Sequence, residues 1–82
     1  MKKYTTIHRP VHITALGFSR NMRTFPRRME FEGVTYDFVD AGLRTTLRSG
    51  EQIAQIFTMS DGANDYRIKS DNGCWTLLGM TR

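Results

Sequence analysis

The run Phe18-Ser19-Arg20-Asn21-Met22-Arg23-Thr24-Phe25-Pro26-Arg27-Arg28 is where this sequence concentrates its chemistry. Arg20, Arg23, Arg27 and Arg28 can neutralise phosphates or carboxylates, and Phe18 and Phe25 offer flat faces for stacking on unpaired bases. Two functions use such a run. One is a contact surface for an acidic protein partner. The other is a single-stranded RNA or DNA site built from an Arg/Phe loop. A plainer reading has the two phenylalanines anchoring a long loop while the arginines stay solvated.

The remaining reactive side chains point to less. His8 and His12 have the spacing of a helical metal pair, but Pro10 lies between them and the flanking pattern is extended. On a strand, residues four apart are separated by about 13 Å, too far for two bonds of about 2 Å to one ion. Cys74 stands alone, with no local signature of an activated thiol, and it can form no intrachain disulfide. Asp61, Asn64, Asp65 and Asp71 lack the spacing of a calcium loop and suit turns instead. Gly17-Phe18-Ser19 is not completed to a hydrolase elbow, and there is no phosphate-binding lysine loop. The expectation is a non-enzymatic protein with no metal and no cofactor.

Charge supports a binding role. Residues 1–29 hold seven Lys or Arg and no acid, whereas residues 30–82 carry a net charge of −3, for a total of +4. Nine of the twelve basic residues are Arg, which favours planar contact with phosphate or carboxylate. The 82 residues suffice for one small domain with a thin core. No apolar run approaches the roughly 18–20 residues that span a bilayer, and the basic N-terminus has no apolar stretch behind it. The chain therefore reads as cytoplasmic, with no membrane partner.

The elements that must position the arginines read as strands. Met29 to Phe38 alternates apolar and polar residues on both sides of Glu32-Gly33. A two-residue turn there sets Phe31 against Val34 and Met29 against Tyr36. Asn72-Gly73 predicts a second hairpin, with Ile68 facing Leu77 and Ser70 facing Trp75. Val11 to Leu16 reads as a strand after Pro10. Residues 19–28 lack clean periodicity and read as an exposed basic loop, and residues 1–9 as a flexible arm. Residues 43–59 admit two readings. Ser49-Gly50-Glu51-Gln52 fits a capping box for a short helix over 50–58. Alternation of Leu43, Thr45 and Leu47 with Arg44, Thr46 and Arg48 favours a strand that turns at Ser49-Gly50 and returns to Met59. Gly42 then supplies a bend.

Phe31-x-Gly33-x-x-Tyr36, Ser60-Asp61-Gly62 followed by Tyr66-Arg67, and Trp75-Thr76-Leu77-Leu78 resemble a group of short, uncharacterised proteins from reduced-genome bacteria of the Saccharibacteria type. The resemblance covers roughly residues 29–80. It implies a small soluble bacterial β domain and strands over residues 43–59, and it brings no activity or catalytic residue. The fold expected is mostly β: five or six short antiparallel strands in a small, partly open barrel of SH3-like size, in one domain spanning 1–82. Such folds leave strand edges that accept another chain, a second copy of this one included. The leading expectation is an interaction module for an acidic protein partner, with single-stranded nucleic acid as the alternative.

Overall fold

The structure, a computed structural model, describes residues 2–82. Eight strands run in chain order: β1 (Tyr4–Pro10), β2 (His12–Phe18), β3 (Thr24–Phe31), β4 (Val34–Asp37), β5 (Leu43–Ser49), β6 (Gln52–Ser60), β7 (Asp65–Asp71) and β8 (Cys74–Thr81). They form two antiparallel sheets, ordered β1-β8-β7-β6-β5 and β2-β3-β4. The fold is mostly β, as expected, but with eight strands rather than five or six. The described residues contain no helix, so none crosses a membrane as one. Residues 50–58 turn at Gly50 and enter β6, because Ile56 and Phe57 satisfy a strand ladder on both sides.

Local turn chemistry accounts for the hairpins. Glu32 and Gly33 both have positive φ (51° and 78°), as do Asn72 and Gly73 (50° and 79°), which is the I′ geometry that matches strand twist. The resulting registers set Phe31 against Val34 and Met29 against Tyr36, then Ile68 against Leu77 and Ser70 against Trp75. These are the pairings expected from alternation. At the β5–β6 turn Gly50 has φ 61° and precedes Glu51, the II′ pattern, which closes the hairpin on Ser49 and Gln52.

Two expectations about order change. Residues 1–9 were expected to be a flexible arm. Met1 lies outside the described residues, but Tyr4–Pro10 form β1 and pair with β8 from Tyr4↔Thr81 to Pro10↔Thr76. Residues 19–28 were expected to be a loop. Only 19–23 turn, and Thr24–Arg28 belong to β3. The register skips Arg27 between Ala15↔Arg28 and Leu16↔Pro26, a bulge that destroys the period-2 pattern and hides the strand from sequence. Pro26 is tolerated beside this bulge, beyond the end of β4, and is fully buried.

β1 and β2 are nearly one strand, bent at Val11, whose amide donates to the Trp75 carbonyl at 3.1 Å. The bend carries the chain from the large sheet into the small one and folds their apolar faces together. Met29 and Phe31 from the small sheet meet Phe57, Met59, Tyr66, Ile68, Leu77 and Met80 from the large one, with Val11 and Phe38 at the joints. Tyr66 is the centre, its ring 5.2 Å from that of Tyr36 and 5.4 Å from that of Phe38. Its hydroxyl donates to Asp61 Oδ2 at 2.6 Å, while Asp61 Oδ1 accepts the amides of Ala63 and Asn64 at 2.9 and 2.7 Å. Asp61 thus closes the β6–β7 turn, the turn role expected of it.

Burial pushes the Asp61 pKa up, but the hydrogen bonds from Tyr66, Asn64 and Ala63 outweigh it and hold the carboxyl below its usual value. Burial first, then donation to Asp61 and its charge, raise the Tyr66 pKa far above the ordinary phenol. Between the folded and unfolded pKa of Asp61 the unfolded chain binds more protons. The carboxylate's contribution is therefore complete above about pH 4 and is lost as pH falls through the folded value. We expect Tyr66→Phe to cost about 1.5–3 kcal/mol in urea unfolding at pH 7 and clearly less in acid below the folded pKa. An equal cost at both pH values would mean that the charge of Asp61 is immaterial. Backbone geometry makes a second prediction. Gly42 has φ 61° and a Cβ there would run into the Thr58 carbonyl oxygen, whereas Gly33 has φ 78° and opens onto free space. Gly42→Ala should cost at least about 2 kcal/mol and Gly33→Ala about 1 kcal/mol, and the reverse order would refute the steric argument.

Candidate functional site

The β2–β3 tip is a three-residue turn over residues 20–22. The Ser19 amide donates to the Arg23 carbonyl at 2.8 Å, the Met22 amide donates to the Ser19 carbonyl at 3.0 Å, and Met22 takes φ 62°. The tip exposes Arg20, Met22 and Arg23. Beyond it, the bulge leaves Arg27 and Arg28 both exposed, where regular alternation would have turned one inward.

The six residues singled out from the sequence do not form one surface. Arg28 is engaged, its Nε 2.6 Å from Asp37 Oδ1 across the β3–β4 pair. Among the described residues Arg20, Arg23 and Arg27 make no ion pair. Phe18 is two-thirds exposed, at 66%. Phe25 is not a free stacking face: it is half-buried against the core, and its ring occupies the space where a side chain on Gly17 would lie. Gly17 is what admits it. Phe18, Phe25 and Arg27 border one shallow depression next to Phe38 and Val39. Arg23 and the other flank of Phe25 border a second cleft, and Arg20 and Arg28 border neither.

That second cleft, about 130 Å³, brings in a residue that sequence reasoning missed. Arg44 on β5 lines it with Arg23, Ser19, Thr24, Phe25 and Phe57. The register explains this placement. Phe57 and Met59 on β6 point into the core, and Arg44 is the cross-strand partner of Phe57, so it shares the inward face. Its guanidinium carbon stands 5.8 Å from the Phe57 ring centroid. Thr46 and Arg48 follow on that face, while Leu43 and Leu47 are turned outward and are 73% and 46% exposed. The alternation was visible in the sequence, but not which set looked inward.

Strand edges are the other unfilled feature. β1 carries a register shift between Thr6 and Arg9 and ends in Pro10, β2 has two irregularities, and β4 spans only four residues. All three are poor templates for an added strand. β5 pairs with β6 through seven uninterrupted residues and, among the described residues, has no strand on its other side. Because Ser49 and Gln52 close a two-residue hairpin, they form a hydrogen-bonded pair, and the outward backbone groups belong to Arg44, Thr46 and Arg48.

The division of labour between the phenylalanines is open to test. Phe25→Ala should destabilise the fold by about 2–3 kcal/mol in urea unfolding, and Phe18→Ala should stay within about 0.5 kcal/mol. Similar losses for both would contradict the placement of Phe25 in the core. Set against known protein families, curated proteins and solved structures, the chain matches none of them.

Proposed function

We propose that this protein is a non-enzymatic interaction module that binds an extended, acidic protein segment by strand addition to β5. The observation that carries the reading is the free β5 edge, seven regular residues long, with Arg44 and Arg48 on its inward face. Main-chain hydrogen bonds at such an edge supply affinity without regard to sequence, and the side chains beside it supply choice. Here they choose acids. Charge also argues against self-association. Pairing two copies of β5 in the antiparallel register that uses all seven residues sets Arg44 against the Arg48 of the second copy twice, and like charges directly opposite are unfavourable.

The expected partly open, SH3-like barrel is the geometry this reading uses, with the added strand filling the opening between β5 and β4. The resemblance to short Saccharibacteria-type proteins belongs to the same reading and brings a bacterial β domain without an activity. Arg20 and Arg23 at the neighbouring tip, and Arg27 farther along β3, would draw an acidic chain toward the opening.

The test uses a short synthetic peptide alternating Glu with Val, and a Lys–Val counterpart, read by amide hydrogen exchange. Strand addition should slow exchange at the Arg44, Thr46 and Arg48 amides for the Glu peptide only. Thr46→Pro removes an outward donor while leaving the β5–β6 ladder intact, and it should abolish binding. Reversing both charges, with Arg44→Glu and Arg48→Glu, should weaken the Glu peptide about tenfold and admit the Lys peptide. Unchanged protection on β5 would sink the proposal. Salt-sensitive retention of mixed-sequence single-stranded RNA, lost on changing Arg20, Arg23 and Arg27 to Ala, would put nucleic acid in its place.

A further inference from the structure

We propose that the cleft between the β2–β3 tip and the start of β5 binds a small oxyanion of the phosphate type. Two arginines distant in sequence, Arg23 and Arg44, line one recess of about 130 Å³. Among the described residues no carboxylate side chain lines it with them. Asp40, the acid next in sequence to the lining residues Ala41 and Gly42, has Oδ1 accepting from the Gly42 amide at 2.8 Å, where it holds the backbone bend. Arg44 is half-buried over the Phe57 ring and makes no ion pair among the described residues. A guanidinium partly withdrawn from water without a counter-charge is costly, and an anion in the recess offsets that cost.

Size and donor set narrow the ligand. Drug-sized pockets begin near about 300 Å³, so the recess takes a single charged group rather than a base or a nucleoside. The donors available are the two planar guanidiniums, suited to paired contacts with oxyanion oxygens, and the Thr24 hydroxyl. Ser19 is already committed, its Oγ donating to Asn21 Oδ1 at 2.7 Å. Phe25 and Phe57 form apolar walls that raise the strength of the ionic contacts by excluding water. The site goes beyond strand addition and stands without it: the added strand pairs with the outward backbone of Arg44, Thr46 and Arg48, and the two share only Arg44 and, for long-range attraction, Arg23.

The experiment is a two-dimensional amide-shift titration with sodium phosphate, against sodium chloride at matched ionic strength. Saturable shifts at Ser19, Arg23, Thr24 and Gly42 are expected with phosphate only. Arg23→Ala, a change on an exposed turn that leaves β5 untouched, should weaken binding about tenfold, and Arg44→Gln similarly. Should Arg44→Gln fail to fold, Arg23→Ala still decides the matter. Thr46→Pro should bind phosphate as well as the parent does, so the failure of strand addition and the failure of this site are separable. O-phospho-L-serine, titrated in parallel, identifies the source. Tighter binding than phosphate assigns the site to a phosphorylated side chain, and equal binding assigns it to the free anion. Identical shifts with chloride, or unaltered affinity in Arg23→Ala, would overturn the assignment.

Discussion

Tyr66 is the residue on which the two sheets agree. It lies on β7, in the large sheet, yet its ring packs against Tyr36 of the small sheet and Phe38 of the connection between β4 and β5. A buried phenol must place its hydroxyl, and this one ends on Asp61, which spends its remaining oxygen on the amides of the β6–β7 turn. One side chain thus joins the inter-sheet core to a turn at its margin. Neither sheet could hold its apolar face against water alone, so the bend at Val11 and this contact stand or fall together.

A core built this way has a geometric consequence. In space the strands follow one another from β5 through β6, β7 and β8 to β1, across the bend to β2, and through β3 to β4, with no pairing of β4 to β5 among the described residues. The link over residues 38–42 joins the two ends only at its base, where the Val39 amide donates to the Ser60 carbonyl at 2.9 Å. The unpaired edge of β5 is what remains, and its side chains determine which strands it would accept. On the function proposed above, arginine on the inward face would serve two ends there, discouraging a second copy and favouring an acidic guest.

Arg44 also shows how one cross-strand pair can organise a surface. Core packing demands that Phe57 point inward, and antiparallel pairing then obliges Arg44 to follow. The leucines of β5 are left outside and the arginine is brought beneath the β2–β3 tip, opposite Arg23. The basic tip and the basic strand are separate in the sequence and converge only because the sheets fold onto one another.

Much of the local structure was legible from the residues. Two-residue turns at Glu32-Gly33 and Asn72-Gly73 require positive φ, which Gly and Asn favour, and alternation on either side leaves one sensible register, so both hairpins and their facing pairs could be read directly. The strand nature of β5 was readable from alternation and β-branched content, β6 was only the favoured of two readings for residues 50–58, and Asp61 was readable as a turn residue. Three features were not. The bulge at Arg27–Arg28 interrupts the period that identifies a strand, so β3 began too late in the reading. β1 has no buried residue, Ile7 alone being partly covered, and is held by backbone pairing with β8 at the far end of the chain. The face that Arg44 presents depends on which side of β6 meets the core. Turn conformation is set by neighbouring residues and is written in them. Which face is buried, and which edge is left unpaired, is settled by contacts between distant strands, and only the tertiary structure decides it.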